Sequence, residues 1–469
     1  MSKAAIVIVG GLAIAYTAAS WYTGTKTEET LSDNIAIANA YLQEEFAGNK
    51  DNVVVQVKTL NYQRGIFSSK ADYVIELQTD DEHLSFPYTS EIYHGPWPVK
   101  AIAQGQLLPV MSYAHSELKK EGNNLGLFNL SKNPVPLYAD SYLHWDSSVS
   151  STAVLNPLSF TDNNQTLSID TTTFKSHSYG ITQGNYSGII GDVTLLEAGT
   201  ERELGSLRGT TFEGDYSYNE GMSVGTHLMQ SKQLQVSAHP LITVKLQDMS
   251  ITANADIKNN LQDQSLNYLV KNIELNGQSF GSFDLGLAFN QFDMKQWMEI
   301  VNKAPGDSAA IQPHIMALLK NNPTIAISPL RWTIKDAVVE SNTTLQLQVP
   351  QDENDPQQYI KQLNLDVLLD RNALLYSAGE NSMPLFMYDE RLAQAEKAGL
   401  FSLNGNKAEL SLYVANGGQT VKLNGEAITI PELSNRLAAA DESLGMLIDA
   451  PVELDIDVEE SEDTEQPAE

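Results

Sequence analysis

Cysteine is absent from this 469-residue chain. That excludes a disulfide framework, a thiolate nucleophile and cysteine-ligated metals together, so stability has to come from packing. Basic residues are scarce: 29 Lys and Arg stand against 59 Asp and Glu, a net charge of -30. Such a chain repels phosphate backbones and anionic surfaces, so nucleic acid is not an expected partner. The eight histidines are scattered, with no His-x-x-x-His or His-Glu-x-x-His pair, so no zinc site is nominated. No Gly-rich phosphate loop occurs either, and the many carboxylates lack a spacing that would nominate an acid/base pair. The sequence therefore points to no cofactor and no metal. Long hydrophobic runs are missing too, with one exception.

The exception is N-terminal. Ala4 to Tyr22 carries no charge, Lys3 precedes it and Trp21-Tyr22 closes it. As a helix it would span roughly 28 Å at about 1.5 Å per residue, close to the hydrocarbon thickness of a bilayer. Its aromatic end suits the membrane–water interface. A cleaved signal peptide is the competing reading, because Ala13-Ile14-Ala15 supplies a small-residue pattern; a signal core usually runs only about 7–15 residues, which favours a retained anchor. Either way Lys3 stays inside and the body is exported. Gly11, Ala15 and Ala19 share one helix face at spacing four, a seam on which two copies could dimerise, although Ala and Gly are also common in any membrane helix.

What remains is ample for a globular body: 42% of residues are hydrophobic and 19% charged, enough for two or three structural units. We divide it into the anchor (1–24), an N-terminal α+β region (25–140), an antiparallel β meander (141–292), a C-terminal α+β region (293–450) and an acidic tail (451–469). The tail holds nine carboxylates and no Lys or Arg from Val452 onward. Its first part alternates like an edge strand, Val452, Leu454, Ile456 and Val458 against Glu453, Asp455 and Asp457, and the remainder is too polar to order itself.

The pattern predicts a helix over Thr27 to Phe46 continuing from the anchor, since Leu31, Ile35, Ala38 and Leu42 recur three and four apart. Alternating runs such as Val53–Val57 and Tyr73–Leu77 predict strands, and from about Leu143 to Phe292 strands follow almost without interruption. Such alternation gives each strand one apolar and one polar face, as in an antiparallel sheet wetted on one side. Helices are expected over Met294 to Asn302, Ala309 to Lys320, Pro384 to Ala398 and Pro431 to about Leu447, with a hairpin around Thr420–Leu423 between two Asn-Gly turns. The fold class is thus α+β: a long antiparallel sheet with several flanking helices, preceded by one transmembrane helix.

Gly221-Met222-Ser223-Val224-Gly225 matches the nucleophile-elbow pattern, with His227 two residues on. That motif needs a strand turning straight into a helix, whereas strands flank it here, so a serine hydrolase is the weakest of the functional readings. More informative are Trp21-Tyr22-Thr23-Gly24, Asn61-Tyr62-Gln63-Arg64-Gly65-Ile66-Phe67, His94-Gly95-Pro96-Trp97-Pro98, Ile327-Ser328-Pro329-Leu330-Arg331-Trp332, and the turns Asn416-Gly417-Gly418 and Asn424-Gly425. As an ordered set reaching to about residue 440 they resemble the YdgA-like family of bacterial envelope proteins; the acidic tail departs from that pattern. The resemblance implies an inner-membrane-anchored, single-pass, periplasm-facing protein of Gram-negative bacteria, with homodimerisation among its options, and it supplies no active site. It gives weight to Arg64, Gly65, His94, Gly95, Trp97 and Trp332. Physically, Arg64-Gly65 reads as a tight turn or bulge with Arg64 free to pair with a carboxylate. The prolines beside Trp97 hold its ring either as a plug for the sheet, the commoner arrangement for tryptophan, or as a contact for a ligand. Anchor, one-sided sheet and missing catalytic constellation favour a non-enzymatic binding or scaffolding body in the envelope. Its sharper form is a sheet curved into an apolar lipid-binding or lipid-transfer groove.

Overall fold

In the computed structural model the described residues are 3–45, 53–79, 82–162, 164–180, 182–197, 200, 202–219, 222–239, 242–302, 308–378 and 383–441. The tail, including its expected strand, lies outside them. One helix, α1 (Lys3–Glu45), runs from the apolar segment through the expected amphipathic stretch without a break. Of its side chains those before Tyr16 lie outside the described residues, and with them Gly11, Ala15 and most of the expected span. Among the described residues no helix is long and apolar enough to cross a membrane.

Among the described residues the rest of the chain is built on one antiparallel sheet of 25 strands. The first nine are β1 (Val54–Arg64), β2 (Ser68–Gln78), β3 (His83–His94), β4 (Ser112–Leu118), β5 (Leu137–Leu143), β6 (Ser148–Leu155), β7 (Leu158–Asp162), β8 (Gln165–Ile169) and β9 (Thr172–Tyr179). The middle holds β10 (Gln183–Ile190), β11 (Val193–Glu197), β12 (Glu203–Arg208), β13 (Thr210–Asn219), β14 (Met222–His239), β15 (Ile242–Lys258), β16 (Leu261–Leu275), β17 (Gln278–Ser279) and β18 (Ser282–Phe292). The last are β19 (Thr324–Ile334), β20 (Ala337–Leu347), β21 (Ile360–Asp370), β22 (Ser402–Asn404), β23 (Lys407–Ala415), β24 (Thr420–Leu423) and β25 (Glu426–Ile428). Pairing follows sequence order, except that β7, β8, β11 and β12 form a branch that joins the outer half of β14 while β13 pairs with its inner half.

The flanking helices are α2 (Val99–Ala103), α3 (Leu125–Leu130), α4 (Met294–Asn302), α5 (Ser308–Leu319), α6 (Arg371–Ala378), α7 (Met383–Lys397) and α8 (Ile430–Asp441). They flank the sheet, with α4 and α5 packed on each other in the connection from β18 to β19. At the C-terminal end Leu400, Val414, Val421, Leu423 and Ile428 are buried with Leu363 and Leu412, covered by Ala395 of α7 and Leu433 and Ala440 of α8. Beside them α6 places Ala373 and Tyr376 on Ile334, Ala337 and Trp332. At the N-terminal end α1 lies along β1, an edge strand that among the described residues pairs with β2 alone. Asn39 of α1 donates to and accepts from Val57 of β1, both at 2.8 Å, which occupies backbone groups that would otherwise template another strand.

Candidate functional site: a junction of motifs and an open apolar face

The N-terminal motifs meet in space. β3 ends at His94, whose ring is 1% exposed. Its Nδ1 lies 2.9 Å from the Ile66 carbonyl, an acceptor only, so Nδ1 carries the proton. Nε2 then accepts from Ser69 Oγ at 2.8 Å, and Ser69 accepts in turn from Tyr62. Burial holds the imidazolium form of His94 down below the usual histidine range, against the opposing pull of the Ile66 carbonyl. The other side of the ring meets α1 at Gly24, where any Cβ would collide with it. Helix and sheet can touch there only because residue 24 has no side chain.

From the same face of α1, Ser20 Oγ and Thr23 Oγ1 donate to the Gly95 carbonyl at 2.8 and 3.2 Å, and the Tyr16 hydroxyl donates to the Trp97 carbonyl at 2.9 Å. Tyr16 also stacks on Phe67, with ring centres 6.0 Å apart. Arg64 reaches Glu28 of α1 at 2.9 Å, and Gly65 closes the β1–β2 turn by donating to Ser68 O at 2.8 Å. Gly95 sits so close to the Val110 and Met111 carbonyls that a side chain has no room. The expectation of Trp97 as a plug is corrected: its ring is 46% exposed. His94 and Gly95 fill the space beneath the loop, so the tryptophan points outward.

Trp332 stands far along the sheet, in β19. Its Nε1 donates to Phe280 O at 2.6 Å and its ring packs against the Ile334–Ala337–Ala373 cluster. Ser223 lies within β14 opposite Tyr218 of β13; no helix follows it, so the elbow geometry is missing, and its side chain lies outside the described residues. His227, four residues on, is held by the Tyr186 hydroxyl at 2.6 Å. Among the described residues no group of His, Asp and Glu could hold a metal ion.

Two cross-strand rows define the larger feature. The first passes through Ala153, Phe174, Gly188, Phe212, Met229, Ile251, Tyr268, Leu285 and Leu330, each directly opposite the next. The second, on the same face, passes through Ser176, Tyr186, Gly214, His227, Ala253, Leu266, Leu287 and Ile327. Glycine and aromatic residues alternate between strands so that rings lie over bare backbone. A Cβ on Gly188 would strike Phe212, and one on Gly214 would come within 2.8 Å of His227. Phe174, Phe212 and Tyr186 stack 6.0 to 6.1 Å apart, and Tyr186 stacks on His227 at 5.8 Å.

This face is sheltered but not filled. In β13 the alternate residues Thr211, Glu213 and Asp215 are exposed while Phe212, Gly214 and Tyr216 are half-buried. Phe174 and Leu330 remain 40% and 41% exposed. The second row continues in both directions: through Thr343, Leu365 and Leu412 to Leu423 under the C-terminal helices, and back through Ser151, Ser141, Ala114 and Ile92 to Ser69. It therefore runs from the partner of His94 beneath α1 to the far cap. Sixteen steps between strands, at about 4.8 Å each, make a path of roughly 75 Å.

Comparison with known proteins places the chain in a family. Residues 1–431 match the model described as "Bacterial protein of unknown function (DUF945)", and the chain belongs to that family. It is similar to protein YdgA of Escherichia coli K12, 23% identical over 384 residues covering 74% of this chain and 75% of the relative. It is also similar to the uncharacterized protein YihF of the same organism, 20% identical over 92% of this chain and 98% of the relative. An uncharacterized protein of Haemophilus influenzae is 22% identical over 64% of this chain and 85% of its own length. No solved structure matches.

Proposed function

We propose that this is a non-enzymatic envelope protein, tethered to the inner membrane by the start of α1 with its body in the periplasm, whose open sheet face binds the acyl chains of an amphipathic lipid. The two registered rows carry the reading: aromatic and aliphatic side chains, interleaved with glycines and left half-exposed between capped ends, form an apolar surface that calls for an occupant. A lipid is the occupant that fits, because the face starts under the helix that would bring the chain to a bilayer. Tyr186–His227 supplies one hydrogen-bonding pair for a headgroup or ester.

The test is site-specific photocrosslinking in cells, with a photoreactive residue replacing Phe212 or Tyr268 on the open face and Glu213 on the opposite one, followed by mass spectrometry of adducts. Lipid adducts at Phe212 and Tyr268 but not at Glu213 are expected. Equal labelling, or none on the open face, overturns the reading.

A further inference from the structure

We infer that the lobe formed by residues 97–109 is a membrane seat: it lies in the headgroup and upper acyl region of the bilayer beside the anchor helix. This rests on the tethering proposed above and adds a second, non-spanning contact. The lobe is pinched at its base, where Val110 N donates to Pro96 O at 2.9 Å and Gly95 N to Met111 O at 2.8 Å. Inside it α2 turns Ala101 into the body, fully buried, and Gln104 is tied back to Tyr113 and Tyr142. What faces outward is apolar: Val99 is 72% exposed, Leu107 73% and Leu108 74%, with Trp97 and Ile102 beside them. Placing such residues in water at the tip of a fixed lobe is unfavourable unless another apolar phase receives them.

The occupant follows from the helix that meets the lobe. Tyr16, Ser20 and Thr23 are bonded to the Gly95 and Trp97 carbonyls, so only Ala4–Ala15 can stand clear of the body. Twelve residues at about 1.5 Å reach roughly 18 Å, well short of the approximately 30 Å hydrocarbon core. If the segment spans, the stretch up to Tyr22 must enter the bilayer as well, and the body fixed alongside it must enter too. The part of the body in that position is this lobe together with Phe67, which stacks on Tyr16 and is 51% exposed. Charge agrees: in a chain of net charge -30, no carboxylate occurs between Glu91 and Glu117, where the only Lys or Arg is Lys100. An apolar surface with a single cation at its rim suits a bilayer interface.

The absence of cysteine makes the test direct, since each introduced thiol is unique. Full-length Ala5→Cys, Leu108→Cys and Gln419→Cys variants, labelled with an environment-sensitive fluorophore, are reconstituted into phosphatidylethanolamine–phosphatidylglycerol vesicles carrying doxyl-labelled lipid. Quenching and a blue shift at positions 5 and 108, with neither at 419, are the expected result. Quenching at 5 without quenching at 108 overturns the seat and leaves the tether standing. No quenching at either position overturns both.

Discussion

Replacing Gly24 with alanine tests the junction with a reversal of sign. In a helix interior Gly→Ala ordinarily stabilises by about 0.8–1 kcal/mol. In α1 the new Cβ would be driven against Cε1 and Nδ1 of His94, and that ring has nowhere to go: it is 1% exposed and held on both nitrogens at 2.9 and 2.8 Å. Overpacking of this kind costs about 1–3 kcal/mol, which cancels or exceeds the propensity gain. His94→Ala clears the obstacle, at the cost of its own cavity, and in that background Gly24→Ala should stabilise by the usual about 1 kcal/mol. The coupling between the two changes is then about 1–3 kcal/mol. Denaturation of the four full-length forms in the same detergent, followed by circular dichroism, gives the cycle. If Gly24→Ala stabilises the native background as much as the His94→Ala background, helix and ring are not in contact and the junction as described is wrong.

Three further outcomes are expected. His115 is bonded to Asp140 at 2.8 Å and Glu117 at 2.9 Å; burial lowers its pKa, but these partners outweigh it and hold it above the usual value. Its contribution is fully present below the ordinary histidine pKa and lost as pH rises through the raised one, so a His115→Gln variant should close its stability gap to the parent across that interval; a gap that widens there refutes the assignment. Gly188→Ala should destabilise by about 1–3 kcal/mol, because its Cβ would meet the Phe212 ring and Thr173 O, and a neutral melting shift would show that the ring does not lie over the glycine. Arg64→Met should cost less than about 1 kcal/mol, since its ion pair with Glu28 is largely solvated; a larger loss in denaturant titration would assign Arg64 more than that pair.

Local pattern made much of the fold legible. Met294–Asn302 is a helix over the residues its periodicity marks, and α5, α7 and α8 begin within one residue of expectation. The antiparallel meander likewise follows from alternation and turn residues. Elements whose apolar side faces outward escaped: α2 is five residues long with Val99 and Ile102 exposed, a pattern indistinguishable from loop when periodicity is read as burial. Trp97 was misread for the same reason, because aromatic identity predicts burial and a fixed loop can present a ring outward. The aromatic face was legible only as the one-sidedness of each strand. Which Phe lies opposite which Gly depends on register across strands many residues apart, and no local signal carries that. The meeting of Trp21–Gly24, Arg64–Phe67 and His94–Trp97 is equally non-local; only their family order hinted at it.

The sequential pairing of the strands bears on how this molecule could be made. A sheet in which most strands pair with a near neighbour in the chain needs few distant contacts to begin. As the polypeptide is synthesised, β1 to β4 can close against the first helix before β14 exists. Each later strand then finds a finished edge waiting for it, so the exposed edge moves outward with synthesis. Assembly would run in one direction, from the first helix outward, and its last act would be the docking of α7 and α8 that closes the growing end.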